Sequence, residues 1–305
     1  MKGGVYNVMV TPFDEDGNVD YGSYQSMIHN LLNNTPEITG IVILGTTSES
    51  PTLREEEKRE LVRRTADMMN NRYKLVVGVG GNDTMATLEF AQYCRQYADY
   101  LMLTTPHYNK PTQEGMFKHF YTICQDNAIV NTPIMLYNIP SRCGVNLLPE
   151  TIEKLVSACP NIEGIKEASG SMDQVIKIRE KCNIRIFAGD DALILPIMSL
   201  GGDGVVSVAS NVIPRQICDI VTYIQANQYE NARKIYYSVV PLIRSLFCET
   251  NPVPVKHLLH HFGTIATDSV RLPLCQMESS RNREDLIYNY LLAMRENMEN
   301  NNTIQ

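Results

Sequence analysis

Lys166 lies inside a strand-like run, Ile162-Glu-Gly-Ile-Lys-Glu-Ala-Ser169. Desolvating an ammonium costs several kcal/mol, of that order, so a strand that buries its inward face has little use for a lysine. An inward lysine escapes that cost by giving up its proton, and a neutral amine is a nucleophile toward carbonyls. The ordinary alternative is an edge-strand lysine that points at water. Polar segments elsewhere bear on the choice: Gly45-Thr-Thr-Ser-Glu-Ser50, Thr104-Thr-Pro-His-Tyr-Asn109, Tyr137-Asn-Ile-Pro-Ser-Arg-Cys-Gly144, Gly189-Asp-Asp191 and Ser207-Val-Ala-Ser-Asn211. They offer phenols for proton transfer, hydroxyls and amides for a carboxylate, and in Arg142 a guanidinium fork suited to a second carboxylate. Any one of them is also an ordinary turn sequence. Weight comes from finding all of them immediately after strand-like runs.

Eight such runs occur: Val5–Val10, Gly40–Gly45, Leu75–Val79, Tyr100–Thr104, Ile134–Asn138, Ile162–Lys166, Ile184–Ala188 and Gly204–Val208. Helical patterns mostly separate them. Thr52-Leu-Arg-Glu55 reads as a capping box ahead of an amphipathic run through Met69, and Pro149 suits a helix's first turn. Strand and helix alternating eight times predict an α/β fold with a parallel sheet, closed as a (β/α)8 TIM barrel. The active site of such a barrel lies at the C-terminal ends of the strands, where the polar segments fall. After Ser210 the chain turns helical. The expected layout is a catalytic barrel over 1–225, additional C-terminal helices over 226–296 and a polar, frayed tail over 297–305.

Composition sets outer limits. The 305 residues are 44% hydrophobic and 20% charged, ordinary for a globular protein, and the net charge of −7 comes with no basic cluster. Nucleic acid and anionic membranes are therefore not expected partners. Eight scattered cysteines without a C-x-x-C, no secretory leader and no apolar run of spanning length predict a cytoplasmic protein with reduced thiols. Gly78-Val-Gly-Gly81 lacks the rest of a dinucleotide fingerprint and reads as a strand-end turn. His257-Leu-Leu-His-His261 has spacing that can bind metal, but no carboxylate stands near it in sequence; helix-surface histidines are expected, and no metal. Asp190-Asp191 is expected to orient its loop.

Five motifs carry a resemblance: Gly45-Thr-Thr-Ser-Glu-Ser50, Pro106-His-Tyr-Asn-Lys-Pro111, Leu136-Tyr-Asn-Ile-Pro-Ser-Arg142, Gly164-Ile-Lys-Glu-Ala-Ser169 and Glu249-Thr-Asn-Pro-Val-Pro-Val-Lys256. In this order the chain, from about residue 3 to 280, resembles the dihydrodipicolinate synthase family of the class I aldolase superfamily, which includes N-acetylneuraminate lyase. The resemblance implies that Lys166 forms a Schiff base with pyruvate, with no cofactor beyond that imine, and that the second substrate is aspartate semialdehyde. It implies a proton relay of Tyr137, Thr47 and Tyr108, the last entering from a neighbouring subunit, so that the protein is at least a tight homodimer and, as expected here, a homotetramer. Thr46 and Thr47 would hold pyruvate's carboxylate, Arg142 that of the aldehyde, and Gly189 and Val206 would line the pocket.

A sialate or 2-keto-3-deoxy sugar acid aldolase, and a silent keto-acid-binding protein, are the other readings. Two departures stand out. Ser48 replaces a usual glycine, which predicts strain if that position needs positive φ. His107 and Ala86 stand where lysine-inhibited members have a tyrosine and an acidic residue at the dimer interface, although Asn82 and Ser50 match; weak or absent feedback by L-lysine is expected.

Overall fold

In the computed structural model, which describes the backbone of residues 1–69 and 72–303, eight parallel strands close into one barrel in sequence order. They are β1 (Gly4–Val8), β2 (Gly40–Ile43), β3 (Lys74–Gly78), β4 (Tyr100–Thr104), β5 (Ile134–Asn138), β6 (Ile162–Glu167), β7 (Arg185–Ala188) and β8 (Gly204–Ser207). All eight expected strands are present, each shifted by at most a few residues at its ends. Between them run α1 (Tyr21–Asn34), α2 (Glu55–Met68), α3 (Thr84–Cys94), α4 (Gln113–Cys124), the short α5 (Pro140–Cys143), α6 (Pro149–Ala158), α7 (Met172–Lys181) and the short α8 (Ile194–Ser199). Then follow α9 (Pro214–Gln225), α10 (Tyr229–Ser245), α11 (Val253–His261) and α12 (Ser280–Thr303). The last takes in most of the stretch expected as a tail, and residues 304–305 lie outside the described residues.

Glycine permits the barrel's closure. The Gly4 N–H donates to the Asp203 carbonyl at 2.9 Å, and a side chain on Gly204 would run into the Gly4 backbone. Both residues hold positive φ, which only glycine adopts without strain.

The helix starts show where sequence pattern and structure part. Pro149 opens α6 as expected. The capping box sits two residues later than the pattern suggested: the Glu57 carboxylate accepts from the Arg54 N–H at 2.8 Å, while Thr52 donates its hydroxyl to the Glu49 carbonyl at 3.0 Å. Thr52 is thus taken up by the turn before α2, and Glu57 reaches back in place of Glu55.

The chain's contacts form two compact units that interleave along the sequence. The first comprises Met1–Tyr6, Thr39–Ile43 and Arg59–Val206; the second comprises Asn7–Ile38, Leu44–Lys58 and Ser207–Gln305. The first holds the strands' apolar core, where Val76, Val77, Leu101, Met102, Met135, Leu136 and Ile165 are buried. The second holds α1, the segment after β2 and helices α9–α12, with buried apolar faces such as Ile217, Ile220, Val221 and Ile224 of α9.

Candidate active site

Strand register aims the key groups of the first unit. Thr104 of β4 pairs with Tyr137 of β5, Tyr137 with Lys166 of β6, and Lys166 with Phe187 of β7. Residues paired across parallel strands share a face. Phe187 meets Tyr6 edge-on at 5.4 Å between ring centroids, so this row faces the barrel interior. Lys166 is only 5% exposed, and its Nζ lies 4.0 Å from the centroid of the Tyr137 ring. The lysine is therefore an inward amine against a phenol.

The opposite face of the same two strands explains why that pair is held. Asn138 and Glu167, each one residue past the pair, are also in register and buried. Glu167 accepts from Asn138 Nδ2 at 3.1 Å, Gln174 Nε2 at 3.0 Å and the Ser169 N–H at 2.6 Å. Asn138 accepts from the Leu147 N–H at 3.0 Å and donates to Asn146, which in turn donates to Gln174. A hydrogen-bonded buried cluster of this kind fixes one arrangement, because leaving any member unpaired costs about 1–3 kcal/mol. Sequence reading passed over these residues. The available signal was a glutamate and an asparagine in the alternate positions of otherwise apolar strands.

Gly189 has a definite steric role. A Cβ there would lie 2.7 Å from the Ala168 Cβ and 3.1 Å from the Lys166 Cγ, so the glycine leaves the space that the lysine stem occupies. Val206 is buried on β8. Asp190 caps the turn at Asp191–Leu193, accepting from the Ala192 N–H at 2.9 Å, as its loop-orienting reading required.

Arg142 is exposed on α5, which starts at Pro140 and ends on Gly144 with φ of 72°. The Lys110 stem lies against that glycine, 3.4 Å from where a side chain would start. Tyr108 is 85% exposed, and both it and Lys110 hold positive φ, at 63° and 49°. Left-handed backbone at two non-glycine residues is a conformational cost concentrated in this loop. Tyr108 therefore turns its ring to the outside of its own chain.

In the second unit, Thr46 is half-buried and Thr47 buried. The expected strain at Ser48 does not occur. The left-handed residues of this segment are Leu44 and Glu49, with φ of 56° and 54°. Ser48 instead fills a buried site, donating to the Met9 carbonyl at 2.7 Å while its own carbonyl accepts from Thr11 at 2.8 Å. Asn251 Nδ2 donates to the Thr47 hydroxyl at 3.0 Å. Glu49 meets Lys256 Nζ at 2.8 Å and the Arg271 N–H at 2.9 Å. That ammonium is completely buried, 4.2 Å from the Phe13 ring centroid. Burial pushes the Lys256 pKa down to about 8, against the pull of Glu49 in the other direction. Arg271 also grips Glu57 with both terminal nitrogens, which holds the Glu57 carboxyl down to about 2.

The histidines lie on α11 with His260 and His261 exposed, and one of them has a partner that the sequence spacing did not show. His257 Nδ1 is 2.9 Å from Asp268 Oδ2, so a carboxylate partner is present, brought by the chain beyond α11. Among the described residues no three His, Cys, Asp or Glu side chains gather in a way that would hold a metal ion. No helix among them is long and apolar enough to cross a membrane.

Residues 1–286 match the profile of the dihydrodipicolinate synthetase family. The 4-hydroxy-tetrahydrodipicolinate synthase of Methanococcus maripaludis strain C6 is 41% identical over 278 residues, covering 91% of this chain and 94% of that one. The chain belongs to the dihydrodipicolinate synthetase family. Among solved structures, the 4-hydroxy-tetrahydrodipicolinate synthase of Methylacidiphilum fumariolicum SolV superposes with a TM-score of 0.92 at 40% identity, over 98% of both chains. A family member from Acinetobacter baumannii, a dihydrodipicolinate synthase solved in complex with pyruvate, superposes at 0.90 with 33% identity, over 96% of this chain and 99% of that one.

Proposed function

We propose that this chain is a Schiff-base-forming synthase that condenses pyruvate with L-aspartate 4-semialdehyde to give 4-hydroxy-tetrahydrodipicolinate, on the route to lysine through diaminopimelate. The observation that carries the reading is the buried Lys166 amine against the Tyr137 ring on the strand row facing the barrel interior. The names of the relatives support the same activity, and the pyruvate bound by the Acinetobacter baumannii protein supports the first substrate.

The chemistry assigns each group a task. The Lys166 amine adds to the pyruvate ketone and water leaves, so the resulting imine draws electrons from the methyl carbon and lets it lose a proton. The enamine carbon then attacks the aldehyde. Each step moves a proton, and a phenol with an ordinary pKa of about 10 does this well only within a relay. Tyr137, Thr47 and Tyr108 form that relay, with Tyr108 supplied by a second copy of the chain. The exposure of Tyr108 and its costly backbone suit a residue that acts in a partner subunit. The working form is accordingly a homodimer or a tetramer built from such dimers. Thr46 and Thr47 take pyruvate's carboxylate through hydroxyl and backbone donors, Arg142 takes that of the semialdehyde, and Gly189 and Val206 shape the pocket wall. No cofactor is needed beyond the imine, and the protein works in the cytoplasm.

Treatment with pyruvate and borohydride followed by mass measurement tests the reading. The expected result is one reduced pyruvate adduct per chain on Lys166, absent in a folded Lys166→Ala variant. No adduct, or an undiminished adduct in that variant, refutes the assignment. Faster turnover of N-acetylneuraminate than of aspartate semialdehyde would overturn the second substrate alone.

A further inference from the structure

We propose that Asn251 is a positioning residue that sets the direction of the Thr47 hydroxyl; the proposal rests on the relay reading given above. A threonine hydroxyl has one proton to donate and two lone pairs to accept with. The Asn251 amide nitrogen is a donor only, and it gives its proton to Thr47 Oγ1 at 3.0 Å. The Thr47 proton therefore cannot point at Asn251 and is left for another partner, which in the relay reading is the proton-transfer path. Asn251 is 5% exposed and Thr47 3%, so their hydrogen bond is shielded from bulk solvent.

The surroundings keep the two groups aligned. Five residues after Asn251, Lys256 binds Glu49, which itself lies two residues after Thr47. Asn251–Lys256 and Thr47–Glu49 are thus tied together at both ends, one tie a hydrogen bond and the other a buried ion pair. A loop held at two points cannot swing so as to let Thr47 choose a different rotamer without breaking one of them. A relay member whose hydroxyl rotates freely spends part of its time pointing the wrong way. Asn251 removes that freedom without touching substrate.

The test uses Asn251→Asp, Asn251→Ala, Thr47→Val and the Asn251→Ala/Thr47→Val double variant. Aspartate accepts where asparagine donates, so it draws the Thr47 proton toward itself. Asn251→Asp is expected to lower kcat by about 100-fold, within the range for a proton-transfer group, and Asn251→Ala by about tenfold. Pyruvate KM is expected to change less than kcat in both, because Thr46 and the backbone donors still hold the carboxylate while the redirected hydroxyl acts chiefly on proton transfer. In the Thr47→Val background, Asn251→Ala is expected to cost nothing further, since its action passes through that hydroxyl. An Asn251→Asp enzyme with wild-type kcat, or full additivity in the double variant, overturns the proposal. Should Asn251→Asp fail to fold, as its melting temperature would show, the alanine cycle decides alone. Borohydride trapping of wild type separates the two levels. An adduct on Lys166 with additive effects sinks only the role of Asn251, whereas no adduct sinks the Schiff-base reading.

Discussion

The buried pair of Lys256 and Glu49 allows the sharpest stability test. Its nitrogen and oxygen are 2.8 Å apart, and the side chains are 0% and 2% exposed. Lys256→Met keeps the length and packing of the stem but removes the ammonium, leaving the Glu49 carboxylate with the Arg271 N–H at 2.9 Å. Breaking one partner of a buried ion pair costs about 3–5 kcal/mol, because the remaining charge has lost both water and counterion. At roughly 2–4 °C per kcal/mol, the melting temperature should fall by about 6–20 °C. Lys256→Met/Glu49→Gln removes the stranded charge while the amide still accepts from Arg271, so it should recover most of that loss. The functional signature follows from position: Glu49 closes the segment carrying Thr46 and Thr47, so pyruvate KM should rise in the single variant. Thermal melts and steady-state kinetics on the three proteins decide. A single variant that melts within about 2 °C of wild type with unchanged KM, or a double variant less stable than the single, refutes this account.

Other perturbations give equally definite outcomes. Gly189→Ala places a methyl 3.1 Å from the Lys166 Cγ and 2.7 Å from the Ala168 Cβ, so it should destabilise by about 1–3 kcal/mol and slow adduct formation at least tenfold, roughly; wild-type trapping kinetics would contradict it. His119, buried and hydrogen-bonded to Thr84, has its pKa lowered from 6.5 to about 4, first by desolvation. Between those values the unfolded chain takes up a proton that the native one refuses. Stability should therefore fall as pH drops through that window, by up to about 1.4 kcal/mol per pH unit, and His119→Gln should flatten the slope of melting temperature against pH. Identical slopes would refute the cause. If His107 and Ala86 occupy the effector-binding positions of a tyrosine and an acidic residue, as the family resemblance implies, millimolar L-lysine should leave the synthase rate unchanged, and strong inhibition in that assay would overturn the expectation.

The two residues on which the candidate site is built, Lys166 and Tyr137, were legible because they violate their local pattern. A lysine in an apolar strand and a tyrosine leading a polar turn cannot be explained by propensity, and eight apolar runs at regular intervals supplied the frame that turned both inward. Asn251 and Lys256 stood inside one of the five motifs, yet their part in the structure was illegible, because each satisfies its local pattern. Asn251 before a proline reads as a turn residue, and Lys256 beside three histidines reads as helix surface. Their partners lie 204 and 207 residues away, a separation over which no periodicity speaks. The same remoteness explains Ser48, where strain was expected. The left-handed position fell one residue later, on Glu49, whose carboxylate completes the Lys256 pair. A side chain can thus hold a conformation that glycine would adopt more cheaply when its long-range contact outweighs the roughly 1–3 kcal/mol of backbone strain. Glu49→Gly should therefore relax the backbone and still destabilise the protein, since it strands the Lys256 ammonium in the interior.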